Sequence, residues 1–269
     1  MTKDLADALD ARELTCMVGA GGKKTTLYAL ADRLSRAVVT ATVRIPIFDG
    51  EVADLAVTDE PVSALSDADA DSWPLGLVPE RERPDRYRGY DPETVAALAD
   101  AHAGPVLVKA DGARTRWLKA PDEREPQVPA AADTVVPIAS AKVVGERLSA
   151  EHVHRPEVVA ELTGRELGDP IRPEDVAAVL AHEAGGLKGV PADATAVPVV
   201  NMVDDADLRE TAREVADEVL DRTAESRSPA SDSTARGSTD SDSTDRGPTV
   251  PRVVLAQMVA DDPVVEVVE

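Results

Sequence analysis

Residues 18–26 are Val-Gly-Ala-Gly-Gly-Lys-Lys-Thr-Thr, and this stretch decides the fold. It lies between an apolar run at 14–18 and a helix-forming run at 27–34. A glycine-rich turn lets backbone N–H groups approach a phosphate closely, and the helix that follows presents the positive end of its dipole. A lysine adds charge for the β- and γ-phosphates, and a Ser or Thr hydroxyl can bind Mg²⁺. The order strand, glycine turn, lysine, helix predicts a nucleotide-binding P-loop.

Two registers fit this loop. If Lys24 and Thr25 form the Lys-Thr pair, Lys23 occupies the position of the second glycine in G-x-x-x-x-G-K-[ST]. If Lys23 is the P-loop lysine, the shorter pattern G-x-x-G-K spans 19–23. Either lysine is a candidate to stabilise charge in the transition state, and Thr25 or Thr26 is a candidate Mg²⁺ ligand. The alternative is an ordinary strand-to-helix connector with exposed lysines. The predicted nucleotide-binding residues of the loop are Gly19, Ala20, Gly21, Gly22, Lys23, Lys24, Thr25 and Thr26.

The composition is strongly acidic. The 269 residues include 51 Asp+Glu against 29 Lys+Arg, which gives a formal net charge of −22. An acid-rich, lysine-poor chain is typical of halophilic proteins, because concentrated salt screens the self-repulsion. The sign of the charge argues against nucleic acid as a partner. Cys16 is the sole cysteine, which excludes an intrachain disulfide. No apolar run approaches the roughly 18 residues of a membrane span, and no signal peptide is recognisable, so we expect a cytoplasmic protein without a membrane partner.

Strand-like and helix-like segments alternate, which predicts an α/β fold of the P-loop type with a mostly parallel sheet covered by helices. We expect an α/β nucleotide-binding domain over 1–224, a disordered Ser/Thr/Asp-rich insertion over 225–249, and a terminal strand with an acidic tail over 250–269. The predicted strands are 14–18, 37–43, 106–110, 134–138, 196–200 and 252–258. The predicted helices are 25–35, a helix from Pro92 closed by Gly104, 156–162, 173–183 and 206–223.

A second motif, Val-Leu-Val-Lys-Ala-Asp-Gly-Ala, occupies 106–113. P-loop proteins place an Mg²⁺-binding carboxylate at the end of such a strand, so Asp111 is a candidate metal ligand and catalytic residue. The alternative is an Asp-Gly turn. Cations follow at Arg114, Arg116 and Lys119, then Glu125; they could clamp a phosphate or an anionic substrate, or form a solvated loop.

Two further motifs concern the ligands. Asn201-Met-Val-Asp204 follows a predicted strand and is similar to the guanine box of GTPases. A carboxylate at Asp204 would accept hydrogen bonds from guanine and reject adenine. The alternative is a strand end and a helix cap, so both ATP and GTP stay open. His154 and Arg155 are candidate contacts to a substrate or partner, with a helix-entry histidine as the alternative.

Short segments that lie in order along most of residues 14–204 resemble a known family. They are 18–26, 110–113, 118–121, 125–129, 143–145, 154–156, 185–189 and 201–204. Together they resemble the YqeC family, described as accessory proteins of selenium-dependent molybdenum hydroxylases. The residues themselves predict an Mg²⁺-dependent nucleotide-binding protein, an NTPase. The resemblance implies that it acts in maturation of a molybdenum hydroxylase or its cofactor, with the hydroxylase or a cofactor-handling protein as its partner.

Two alternatives stay open. One is a P-loop small-molecule kinase or ATP-dependent ligase, and the other is a nucleotide-gated scaffold that does not hydrolyse.

Overall fold

The structure is a computed structural model that describes residues 4–227 and 247–269. These residues form strands and helices in alternation. The helices are α1 Leu5–Leu9, α2 Lys23–Ala31, α3 Pro61–Asp67, α4 Pro92–Ala101, α5 Pro156–Thr163, α6 Pro173–Ala181 and α7 Ala206–Arg227. The strands are β1 Leu14–Gly19, β2 Val38–Ala41, β3 Ile45–Pro46, β4 Asp54–Val57, β5 Leu75–Val78, β6 Arg86–Tyr87, β7 Val106–Lys109, β8 Leu118–Lys119, β9 Thr134–Ser140, β10 Val153–His154, β11 Thr195–Ala196, β12 Val199–Asn201, β13 Val253–Ala256 and β14 Val264–Val268.

The main sheet has ten strands in the order β14-β13-β12-β9-β1-β7-β2-β5-β4, with β11 beside β9. All neighbours are parallel except the edge strand β14, which runs antiparallel to β13. Parallel strands covered on both faces are expected to be continuous apolar runs, and β1, β7 and β9 are. The α/β fold with a mostly parallel sheet is therefore confirmed.

Helices cover both faces of the sheet. Met17 of β1 points to the face that packs against α1 and α2. Its neighbour Cys16 points to the other face, where Val95 of α4 lies in the same apolar cluster. Farther along that face, Val200 of β12 packs in a cluster with buried residues of α6 and α7. The result is a three-layer arrangement with β1 at the centre of the sheet.

The carboxyl ends of the parallel strands lie along one edge of the sheet. The glycine loop, defined as residues 19–22, leaves β1 at this edge, and the segments after β2, β7, β9 and β12 begin there too. In open α/β sheets, ligands bind in the crevice outside the carboxyl ends of the strands. The topology therefore makes this edge of the sheet the expected position of a ligand site.

Most of the predicted boundaries agree with the structure within two residues, but three predicted elements differ more. Helix α2 begins two residues earlier than expected and ends four earlier, so both loop lysines lie in its first turn. The predicted strand over 196–200 is divided into β11 and β12, which pair with different parts of β9. Helix α7 extends to Arg227, three residues into the segment predicted to be disordered.

The predicted insertion falls mainly on residues 228–246, which lie outside the described residues. On its far side, Thr249 bridges to Thr195, and β13 pairs with β12 in parallel. Over the described ranges, the helices are all too short or too polar to cross a membrane.

Candidate functional site

The glycine loop turns closely against neighbouring strands. Gly19 has φ +87°, and a Cβ there would lie 2.3 Å from the carbonyl oxygen of Ile138. Gly22 has φ +137°, and a Cβ there would lie 2.1 Å from Nδ2 of Asn201. The N–H of Ala20 donates to the Ile138 carbonyl at 2.8 Å. Only glycine fits these two positions, because both the φ angle and the space exclude a side chain.

The loop leads directly into α2, whose N-cap is Gly22. The first N–H groups of a helix have no acceptor within it, so they are free to bind an anion. Lys24 and Thr25 lie in this first turn and line the cleft described below. Thr26 is buried and its hydroxyl donates to the Gly22 carbonyl at 3.1 Å, so Thr25 carries the available hydroxyl.

Lys23 points away from the solvent and toward Asp111. Its Nζ lies 2.8 Å from Oδ1 of Asp111 and also donates to the Gly19 carbonyl. The other carboxylate oxygen of Asp111 lies 2.9 Å from Nζ of Lys119 and accepts from the Gly19 N–H at 2.8 Å. Asp111 therefore holds two lysines and the start of the glycine loop in one buried cluster.

This cluster continues toward α5. Lys119 Nζ lies 2.6 Å from Oε2 of Glu125, and the other oxygen of Glu125 accepts from the Gly112 N–H at 3.0 Å. Arg155, the residue that precedes α5, lies 3.2 Å from Glu125 and 2.5 Å from Asp122. Charged side chains thus link the glycine loop to the entrance of α5 without a gap.

The charges in this cluster shift the pKa values of its members. Burial alone would raise the pKa of Asp111, but Lys23 and Lys119 outweigh it and hold that pKa below its usual value. Glu125 behaves in the same way: Lys119 overcomes the effect of burial and lowers its pKa. Burial lowers the pKa of Lys23, although Asp111 opposes this. Both carboxylates are therefore ionised at neutral pH.

Two groups at the rim of the cluster have large shifts. Burial, reinforced by the charge of Lys23, lowers the pKa of Lys109 to about 7. Its Nζ donates to the carbonyls of Arg44 at 2.9 Å and Asp111 at 2.7 Å. Burial and the neighbouring charges of Arg155 and Lys119 lower the pKa of His154 to about 4. His154 is therefore a neutral imidazole at physiological pH.

A cleft of about 770 Å³ opens above the glycine loop. Its walls come from the segments that follow β1, β2, β7 and β12, together with the entrance of α5 and Arg86 of β6. Two carboxylates, Asp122 and Glu125, line it, and both are paired with Arg155. Among the described residues, basic side chains outnumber these two carboxylates in the lining, although the chain as a whole has a net charge of −22. Lys23, Arg44 and Arg86 have acidic partners of their own in Asp111, Glu82 and Asp85. The nine basic residues of the lining are Lys23, Lys24, Arg44, Arg86, Lys109, Arg114, Arg116, Arg124 and Arg155.

Most of the residues predicted from sequence meet at this site. The glycine loop, the two loop lysines, Thr25 and the second motif lie together, as do Arg114, Lys119, Glu125, His154 and Arg155. Lys119 differs in one respect: it is buried beneath the cleft and contacts Asp111 and Glu125 rather than the open space.

The two residues of the predicted guanine box are separated. The buried amide of Asn201 donates to the Gly21 carbonyl at 2.8 Å, and its oxygen accepts from the Met258 N–H at 3.1 Å. Asp204 forms an ion pair with Lys142 and is not among the residues that line the cleft. Asn201 thus supports the glycine loop from behind, and base recognition by Asp204 stays a prediction.

The predicted Mg²⁺ site has a donor set that does not fit a metal ion. Both oxygens of Asp111 are engaged by lysines, and the carboxylates of the cleft are paired with Arg155. Throughout the part of the chain that the structure describes, no group of three or more His, Cys, Asp or Glu side chains could hold a metal ion. An Mg²⁺ ligand at Asp111 stays a prediction, and it would require Lys23 and Lys119 to move.

Sequence reasoning missed part of the site. Arg44 follows β2 and Arg86 lies in β6, and both come from the region 44–90, which carries no recognisable motif. Trp117 and Arg124 also line the cleft. For Arg124 the signal was its place in the charged stretch after Asp111; for Arg44 and Arg86 the local sequence gives none, since only the tertiary fold brings them to the cleft.

Comparison with known proteins agrees with the motifs. The family model described as YqeC protein matches residues 15–157, more than half of the chain. A protein of Escherichia coli (strain K12), named "Uncharacterized protein YqeC", is 29% identical over 200 residues, which cover 69% of this chain and 74% of that protein. No solved structure matches. The chain belongs to the YqeC family.

Proposed function

We propose that this protein binds the phosphate groups of a nucleoside triphosphate in the cleft above the glycine loop. The observation that carries the proposal is the excess of basic over acidic side chains in the lining of this cleft, in a chain that is acidic as a whole. Oriented backbone N–H groups and cations at a helix N-terminus are the elements that bind phosphate in P-loop proteins.

Lys24 is the better phosphate ligand of the two loop lysines. Its side chain lines the cleft and has no acidic partner within residues 4–227 and 247–269. Lys23, by contrast, is buried in its ion pair with Asp111. The register in which Lys24 and Thr25 form the Lys-Thr pair is therefore the one we propose, with Lys23 fixing the shape of the loop.

Nucleotide binding is better supported than nucleotide hydrolysis. A water-activating base would need a free carboxylate or imidazole, and both carboxylates of the cleft are paired with Arg155. The neutral His154 has a pKa of about 4, which makes it a weak base. These features favour the scaffold alternative, in which the bound nucleotide controls an interaction and turnover is low or requires a partner.

The biological setting that we propose is maturation of a molybdenum hydroxylase or its cofactor, and it rests on the family resemblance alone. A nucleotide-gated protein would fit such a role, since delivery and assembly steps need a state that ligand binding can change. A pull-down of the intact chain with and without nucleotide would test for a hydroxylase partner.

Calorimetric titration with non-hydrolysable ATP and GTP analogues tests the binding proposal. It is carried out in high salt, with and without Mg²⁺, on the wild type and on Lys24→Ala. We expect the wild type to bind and Lys24→Ala to lose about tenfold or more in affinity, because a charge-assisted phosphate contact is worth about 1.5–3 kcal/mol.

Arg12→Ala is the matched control. Arg12 is exposed, precedes β1 and so lies at the opposite edge of the sheet, where it pairs with Asp7. Its removal takes away the same charge but should leave the affinity unchanged. If the folded wild type binds neither analogue, or if both variants weaken binding equally, nucleotide binding at the glycine loop is refuted. A dependence of the affinity on Mg²⁺ would support a metal ion bound to the phosphates, with the Thr25 hydroxyl as its candidate protein ligand.

A further inference from the structure

One wall of the cleft carries arginines that lack an acidic partner. Arg114, Arg116 and Arg124 line the cleft, and none of them forms an ion pair with the residues that the structure describes. The chain has 51 acidic residues for 29 basic ones, so acidic partners are abundant. Three unpaired guanidinium groups within one concave surface form a site that is ready to receive an anion.

The loop that bears two of these arginines is held in a costly conformation. Arg114 and Thr115 have φ of 48° and 59°, and both are non-glycine residues in the left-handed region. Such a conformation costs about 1–3 kcal/mol for each residue and persists only where the surroundings impose it. Here the Arg116 carbonyl accepts from the Gly21 N–H at 2.9 Å, and the Arg116 N–H donates to the Ala113 carbonyl at 3.0 Å. The loop that carries Arg114 and Arg116 is thus held against the glycine loop by a backbone hydrogen bond.

The cleft has room beyond the phosphates at α2. Its volume of about 770 Å³ is in the upper part of the range of about 300–1,000 Å³ that holds small-molecule ligands. Lys24 and Thr25 line the cleft at the N-terminus of α2, whereas the unpaired arginines lie on the segment 112–124. The cleft therefore contains two sets of anion-binding groups on separate segments of the chain.

We infer that Arg114, Arg116 and Arg124 form a second subsite that binds the phosphate monoester of a small molecule beside the nucleotide. Only the position of this subsite next to a bound nucleotide rests on the proposed function, because the three arginines do not need a nucleotide to bind an ester. Guanidinium groups pair with phosphate oxygens in bidentate fashion, and three of them match a doubly charged group better than a carboxylate. The acidic surface outside the cleft disfavours a polyanionic chain and so favours a small molecule.

Arg155 also lines the cleft, but it holds a neighbouring segment in place and does not bind the ester. It is held by Asp122 and Glu125, so its charge is already compensated, and it is a positioning residue for the segment 122–125. Lys188 supports the same segment, because its Nζ donates to the Asp122 carbonyl at 2.5 Å. The phosphate ester therefore binds to the three unpaired arginines and not to Arg155.

Calorimetric titration of the full chain with phenyl phosphate tests the inference. The proteins are the wild type, Arg114→Ser/Arg124→Ser and Lys24→Ala; both arginines are exposed, so the double variant should fold, which circular dichroism checks. We expect the double variant to lose about tenfold or more in phenyl phosphate affinity, because two charge-assisted contacts are removed. Lys24→Ala should stay within about threefold of the wild type. Benzoate, which has the same ring and a single carboxylate, should bind at least about tenfold more weakly than phenyl phosphate.

Four results would overturn the second subsite. They are the absence of phenyl phosphate binding to the folded wild type, equal binding of benzoate, an unchanged affinity in the arginine variant, and a loss of binding in Lys24→Ala that the arginine variant does not share. The last would mean that the ester occupies the glycine loop. Failure of the nucleotide proposal is a separate result, since it requires only that the nucleotide analogues do not bind, and the phenyl phosphate titrations decide the subsite either way.

Discussion

Lys23 and Asp111 form an ion pair of 2.8 Å in which the two side chains keep only 5% and 2% of their solvent exposure. The pair joins the first turn of α2 to the end of β7, which lies beside β1 in the sheet. Two charges withdrawn from water in this way are expensive unless each is compensated, and Asp111 is shared with Lys119 as well. The stability of the site therefore depends on one carboxylate.

Asp111→Asn should be strongly destabilising. The change leaves Lys23 without its counter-charge and Lys119 with Glu125 alone, and breaking a buried pair costs about 3–5 kcal/mol. Chemical denaturation in high salt measures the free energy of unfolding. Glu82→Gln is the control, since it removes one acid from an exposed pair with Arg44 and should have little effect. Similar decreases in the free energy of unfolding of the two variants would contradict the conclusion that the site depends on Asp111.

Gly19→Ala should destabilise the loop by at least about 2 kcal/mol, because alanine is strained at φ +87° and its Cβ would meet the Ile138 carbonyl. Gly50→Ala is the matched control: a Cβ at Gly50 meets no atom within 4 Å, and its φ is not in the left-handed region. Thermal unfolding of both variants measures the difference. A Gly19→Ala protein as stable as Gly50→Ala would show that the loop is not packed as described.

Asn201 and Asp204 should respond differently to substitution. Asn201→Ala leaves the Gly21 carbonyl and the Met258 N–H without their buried partner, at a cost of about 1–3 kcal/mol. It should weaken ATP and GTP analogues alike. Asp204→Ala should change neither affinity, since Asp204 is paired with Lys142 outside the cleft. A selective loss of the GTP analogue in Asp204→Ala would instead support guanine recognition.

His154 should make the protein less stable in mild acid. Its pKa is about 4 in the folded protein and about 6.5 in the unfolded chain, so only the unfolded chain gains a proton between these values. Stability should fall as the pH drops from 6.5 to 4. In His154→Asn the decrease in Tm between pH 7.5 and 5 should be smaller by about 2–4 °C. Parallel decreases in the two proteins would contradict this origin of the acid sensitivity.

A bound phosphate should raise the pKa of His154, because the added negative charge offsets the nearby cations. Titration of the imidazole followed by NMR, with and without phenyl phosphate, measures this shift. The same titration of His102, which is not among the residues that line the cleft, is the control and should show no change on addition of phenyl phosphate.

Much of the fold could be predicted because its information is local. The apolar runs of β1, β7 and β9, the proline-led helix starts at Pro92, Pro156 and Pro173, and the glycine turn are all visible in short windows of sequence. The strands of the region 44–90 were not predicted. They are short: β3 and β6 have two residues each, and β4 is an edge strand without a buried residue. Only β5 is buried throughout, and its four residues include a glycine, which weakens the signal of a strand.

The candidate site could be predicted only in part, for a related reason. The glycine loop and Asp111 stand out because each follows a buried strand. The contacts of Asp111 could not be predicted from its neighbours in sequence. The pairing of β1 with β7 brings Lys23 to it, and the loop after β7 brings Lys119. The same holds for Arg44 and Arg86, which reach the cleft from segments with no motif of their own.

The two hydrogen bonds of the Asn201 amide mean that the glycine loop depends on residues close to the C-terminal end of the described chain. The family model ends at residue 157, yet the loop that starts the family pattern is held by a side chain at 201, and that side chain is held in turn by the backbone at 258. A truncated protein that stops after the matched region would keep every glycine and lysine of the motif, but it would lose the Asn201 side chain that holds the Gly21 carbonyl. Functional dissection of this protein should therefore proceed by point substitution in the whole chain and not by shortening it.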